Sequence, residues 1–88
     1  RYSILTEDIN RIGIVHLCRE HKLDCTLYEG VRLFGGSIKP SLTIVHLAPL
    51  AANAKEKVKA LARVIKAVNN QREVWITEET VTLKKLLD

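Results

Sequence analysis

The strongest constraint on this chain is the order in which two hydrophobic periods alternate along it. Short runs with strand character, mostly apolar or β-branched, occupy residues 2–6, 25–29, 41–47 and 73–77. Helical spacing occupies residues 10–23 and 54–70. The order is therefore β-α-β-β-α-β. That order predicts an α+β, ferredoxin-like domain: a four-stranded antiparallel sheet with two helices on one face. The 88 residues suffice for one domain over residues 1–88 and not for two.

Each element carries its own signals. Asp8 or Asn10 can cap the first helix, whose apolar stripe is Ile12, Val15 and Cys18, widened by Ile14 and Leu17. Gly13 weakens that helix by about 1 kcal/mol relative to alanine. The second helix carries Val58, Leu61, Ala62, Ile65 and Val68 on one face and Lys55, Lys59, Arg63 and Lys66 on another, with Asn53 as its cap. Pro49 ends the third strand. Residues 78–88 hold Val81, Leu83, Leu86 and Leu87, a pattern for an extra strand or a short terminal helix that packs on something.

Residues 30–40 read as a long turn with three glycines and a proline, carrying the apolar Val31, Leu33 and Phe34. With both helices on one face, the other face of the sheet has no cover within one chain. Depending on register, Leu27 or Tyr28, Leu42 or Thr43, and Trp75 point there. A dimer or trimer packed through that face would bury it.

Composition narrows the function. The net charge of +4 permits an anionic ligand without demanding one. Cys18 and Cys25 match no zinc or CxxC spacing and read as two free thiols, Cys18 on a helix and Cys25 at a strand start, in a reducing compartment such as the cytoplasm. There is no run of the roughly 18 apolar residues that a membrane span needs, and no signal-peptide pattern. His16 and His21 are five residues apart and do not share a helix face, so no metal site is implied. No cofactor is implied either, because the glycines around residue 35 lack the GK[ST] element of a P-loop. Nucleic acid is disfavoured: Tyr2 is the lone aromatic on the two central strands, and the RNP pattern is missing.

The segment 34–44, with Phe34, Gly36, Ser41-Leu42 and Ile44 in spacing, resembles small PII-like proteins. The opening Ile4-Leu5-Thr6-Glu7-Asp8 with Asn10-Arg11, and the late Trp75-Ile76-Thr77, are similar to them as well. The resemblance implies a homotrimer that binds small molecules, often nucleotides, in clefts between subunits. Two positions depart from the pattern, since Lys39 and Val45 stand where it has acids. Those departures favour an anionic ligand. The expected ligand-binding residues are Arg32, Phe34, Gly35, Gly36, Lys39 and Ser41.

Three functions are compatible with these residues. The first is a non-catalytic, PII-like ligand-binding or regulatory protein. The second is an interaction module or inhibitor that docks on a protein partner through the hairpin. The third is a small enzyme with Glu7, Asp8, Glu78 or His46 at an inter-subunit site. No catalytic constellation stands out, so the non-catalytic reading leads.

Overall fold

At the centre of the sheet Ile4 lies opposite both Ile44 and Ile76, and Ile44 lies opposite Leu27. This row points toward two helices, and its members Ile4, Ile44 and Leu27 form the base of the core. The structure is a computed structural model. It describes residues 1–48 and 53–81, except the side chain of Phe34. Its elements are β1 (Tyr2–Glu7), α1 (Arg11–Glu20), β2 (Thr26–Phe34), β3 (Ser37–His46), α2 (Ala54–Val68) and β4 (Trp75–Glu78). The sheet order is β2-β3-β1-β4, with every neighbouring pair antiparallel. This is the α+β arrangement expected from the sequence. Pro49 and residues 82–88, taken above as a strand stop and a packing tail, lie outside the described residues.

Ile14 and Cys18 of α1 and Val58, Leu61, Ala62 and Ile65 of α2 close the core over Ile4, Leu42 and Ile44. Both helices therefore cover one face. The apolar stripe of α1 differs from the expected one. Ile14 and Cys18 are buried, whereas Ile12 and Val15 are exposed. Val68, placed above in the α2 stripe, is exposed too. The rest of the α2 stripe, Val58, Leu61, Ala62 and Ile65, is buried as expected, whereas α1 carries more apolar residues than it buries, so periodicity alone does not select its inner row. The basic stripe of α2 faces outward, with Lys55 near Glu78 at 3.8 Å and Lys59 near Glu56 at 3.9 Å. Among the described residues no helix is long and apolar enough to cross a membrane.

The largest correction concerns residues 30–40. They form no long turn. β2 and β3 stay paired from Gly30 opposite Ser41 to Phe34 opposite Ser37. Only Gly35 and Gly36 remain as loop, at φ of 50° and 85°. Two successive positive φ values give the type I′ turn that matches the twist of a hairpin, and glycine adopts them without steric cost. Because β1 ends at Glu7, opposite Ser41, the hairpin projects beyond the sheet as a two-stranded ribbon. Pro40 is tolerated there because no third strand needs its missing N–H. Its carbonyl accepts from the Asp8 N–H at 3.1 Å.

Asn10 caps α1. It adopts the left-handed region at φ 57°, and its side chain accepts from the Gly13 N–H at 3.2 Å. Asn53, expected to cap α2, makes no such side-chain bond. Gly13 has a role that propensity hides. A Cβ at residue 13 would lie 2.3 Å from the Asn10 side-chain nitrogen. Alanine there must displace the cap, so a gain of about 1 kcal/mol in helix propensity is offset by a loss of about 1 kcal/mol in capping. Gly13→Ala is therefore expected to leave stability nearly unchanged in urea denaturation. In an Asn10→Gly background, which retains the left-handed backbone without the side chain, the same change should stabilise by about 1 kcal/mol. Equal effects in both backgrounds would disprove the coupling.

Candidate functional site

Strand alternation fixes what the sheet face away from α1 and α2 presents. With Ile4 inward, Leu5 and Glu7 point outward, and their partners Thr43, Trp75 and Ser41 share that face. Tyr28, opposite Thr43, joins them, as does Arg32, opposite Lys39. The ambiguity noted above is thus resolved: Tyr28, Thr43 and Trp75 are outward, Leu27 and Leu42 inward.

A cleft of about 480 Å3 opens where this face meets the base of the ribbon. Leu5 and Trp75 form its apolar side. Arg32 and Lys39 come from the ribbon, and Arg72 and Glu73 from the segment before β4. Trp75 is 54% exposed and is the sole tryptophan of the chain. Its indole N–H donates to Glu73 Oε2 at 3.3 Å. Lys39 Nζ lies 3.3 Å from Glu7 Oε1, which ties the ribbon to the end of β1.

Beneath these charges is a buried polar anchor. Thr6 is 2% exposed and exchanges hydrogen bonds with Gln71, Oγ1 to Oε1 at 2.9 Å and Nε2 to Oγ1 at 2.6 Å. Gln71 Oε1 also accepts from the Glu7 N–H at 3.2 Å. One side chain thereby fixes the segment bearing Arg72 and Glu73 against the end of β1.

The six expected site residues separate. Arg32 and Lys39 come together at the cleft. Gly35 and Gly36 form the ribbon turn, Phe34 pairs with Ser37 beside it, and the side chain of Phe34 is outside what is described. Ser41 is buried in the ladder opposite Gly30, where a Cβ on Gly30 would meet Ser41 Oγ at 3.2 Å. Glu7, named above for an enzyme site, belongs to the cleft, whereas Asp8 pairs with Arg11 at the start of α1. Trp75, Arg72, Glu73 and Gln71 did not stand out as site residues. The signal available for them is a polar run, residues 70–73, placed directly before the single tryptophan.

The cleft lining carries three cations, Arg32, Lys39 and Arg72, and two carboxylates, Glu7 and Glu73. Both carboxylates are engaged from within, by Lys39 and by the Trp75 indole. The arrangement offers a ring-sized apolar wall beside guanidinium groups, which suits a flat heterocycle carrying a negative group.

No family model matches the chain, and no curated protein matches it. Among solved structures it is similar to a phage SAM lyase in complex with S-methyl-5'-thioadenosine. The superposition has a TM-score of 0.62 at 13% identity, covering 85% of this chain and 75% of that one. At that identity the likeness is one of fold.

The anchor and the ion pair should differ in weight. Gln71→Ala removes the side-chain acceptor of the Glu7 N–H and leaves the Thr6 hydroxyl only its 3.3 Å bond to the Glu7 carbonyl, and is expected to lower stability by about 1–2 kcal/mol. Lys39→Ala removes a solvent-screened pair and should cost less than about 1 kcal/mol. Urea melts followed by Trp75 fluorescence would rank the two, and the opposite order would refute this account.

Proposed function

We propose that this protein is a PII-like, non-catalytic ligand-binding or regulatory protein. Its ligand is an anionic small molecule with a flat base, such as a nucleotide. The observation that carries the reading is the cleft at the ribbon base, where the Trp75 ring stands beside Arg32, Lys39 and Arg72. Stacking of a base on the indole and charge-assisted hydrogen bonds from guanidinium groups are complementary halves of nucleotide recognition. The phage enzyme of similar fold was solved with an adenosine thioether. That supports adenine-containing molecules as the first to be tried.

The working form in this proposal is a homotrimer. Tyr28 and Trp75 on the sheet face away from α1 and α2 are 56% and 54% exposed, and Val31, Leu33 and Ile38 on the ribbon are 70%, 72% and 74% exposed. A chain this short gains stability from burying such residues against further copies.

A second reading, an enzyme acting on an adenosine-containing substrate, is favoured by one feature. Glu7 and Glu73 place two carboxylates at the same cleft. Turnover distinguishes it from simple binding.

The test is a panel of AMP, ADP, ATP, SAM and S-methyl-5'-thioadenosine, read by thermal shift and by quenching of the single tryptophan. A ligand at one hundred times its Kd should stabilise the fold by about 2.7 kcal/mol. Arg32→Ala and Arg72→Ala should each weaken an anionic ligand by about tenfold, or roughly 1.4 kcal/mol, and Trp75→Leu should weaken every member that binds. No response across the panel would overturn the nucleotide reading. A monomer by light scattering at micromolar concentration would overturn the trimer. Consumption of SAM that stops in Glu7→Gln would replace the binding protein with the enzyme.

A further inference from the structure

The helix layer is shorter than the sheet. Arg11, the first residue of α1, pairs with Glu29 of β2, so α1 begins beside that point of the strand. The ribbon runs on past it. Strand alternation continues into the ribbon without a break in register. Val31 with its partner Pro40, and Leu33 with its partner Ile38, therefore follow Leu27 and Ile44 onto the helix side. All four are exposed. Arg32 and Lys39 occupy the other side. The ribbon is apolar on the side where the helix layer has ended and charged on the side that forms the cleft.

A second exposed apolar row stands on α1. Ile14 and Cys18 of that helix pack in the core. Helical spacing then turns Ile12 away from the sheet, with Val15 next to it nearly one turn on. Ile12 is 75% exposed and Val15 is 40% exposed. Arg11, next to Ile12 in sequence, is already engaged by Asp8 and Glu29.

We propose that the apolar side of the ribbon lies across α1 of a second copy of this chain, whose own ribbon lies across α1 of the first. Each molecule is a step, two layers thick at the helices and one layer thick at the ribbon. Two such steps facing each other about a two-fold axis interlock, and the contact is self-complementary. Each α1 is then held between its own sheet and the ribbon of the second copy. Both halves of the contact stand on this one chain and neither is buried within it, which commits the occupant to a second copy. The area agrees. Ile12, Val15, Val31, Leu33, Ile38 and Pro40 offer roughly 600 Å2 per copy, and burying them in both copies gives about 1,200 Å2, the lower end of a specific interface. Arg32 and Lys39 point away from the contact, so no cation is buried in it. The proposal rests on the self-association put forward above and gives the ribbon its counterpart, while Tyr28 and Trp75 remain on the opposite face for the trimer.

Light scattering and sedimentation of the full chain test this. The expected wild-type particle holds two copies, or six where the trimer forms as well. Leu33→Glu and Ile12→Lys, both at exposed positions, should each halve the particle mass. An equal mixture of the two variants should restore it, because one of the two exchanged contacts is then wild type and the other joins opposite charges. A wild-type particle of one or three copies would overturn the proposal. So would a mass that falls in Leu33→Glu but not in Ile12→Lys, which places the ribbon on another surface, or a mixture that fails to recover. A particle of two copies supports this contact and removes the trimer; a particle of three does the reverse. Urea melts followed by Trp75 fluorescence check that each variant folds, and the wild-type count stands in either case.

Discussion

The inward placement of Ile4, opposite Ile44 and Ile76 in the middle of the sheet, determines the rest of the molecule. Strand side chains alternate, so one inward residue assigns every neighbour. With Ile4 committed to the helices, Leu5 and Glu7 must face the other way, and antiparallel pairing carries Trp75 and Ser41 with them. A slip by one residue would bury Glu7 and expose Ile4, a cost no local contact could offset. The cleft thus follows from the core. Its apolar wall is made of residues that the core excludes by parity.

The ribbon adds charge to that wall. β2 and β3 outrun β1, so Arg32 and Lys39 stand just beyond the end of the sheet, on the same face as Leu5 and Trp75. Lys39 reaches back to Glu7, and Gln71 joins the opposite side of the cleft to Thr6. Each side therefore has one polar tie to the end of β1. The tie through Thr6 is buried and the tie through Lys39 is wet, so the segment with Arg72 and Glu73 is held more firmly than the ribbon. A ligand that bridges Arg32 and Arg72 would couple the two.

The fold was legible because alternation and helical spacing report burial, and burial dominates in Ile4, Ile44, Leu61 and Ile65. The full length of the β2–β3 pairing was not, and the cause is specific. Three glycines and a proline within residues 30–40 resemble a loop by composition. Each glycine or proline has a separate strand-compatible reason: Gly30 for close approach to Ser41, Gly35 and Gly36 for the turn, and Pro40 for an edge without a donor requirement. The rows on α1 failed for a different cause. Ile12, Ile14 and Val15 are equally apolar, and only packing against α2 and the sheet decides that Ile14 is inside. In the cleft, Arg32 and Lys39 were found because they flank a distinctive turn. Trp75, Arg72 and Gln71 were missed because they lie some thirty to forty residues away along the chain and meet the ribbon only through sheet order.

Lys39 and Val45 stand in distinct surroundings on the outward face. Position 39 faces the cleft beside Glu7, so a carboxylate there would repel Glu7, whereas Lys39 pairs with it. Position 45 is buried on the outward face between Ser3 and Thr26, where a carboxylate would need a partner and valine needs none. At each of these positions the chain's own neighbours disfavour an acid. The outward face at the cleft thus has guanidinium and ammonium groups beside an indole. The ligand preference proposed for the cleft therefore follows from the same residues that stabilise its walls.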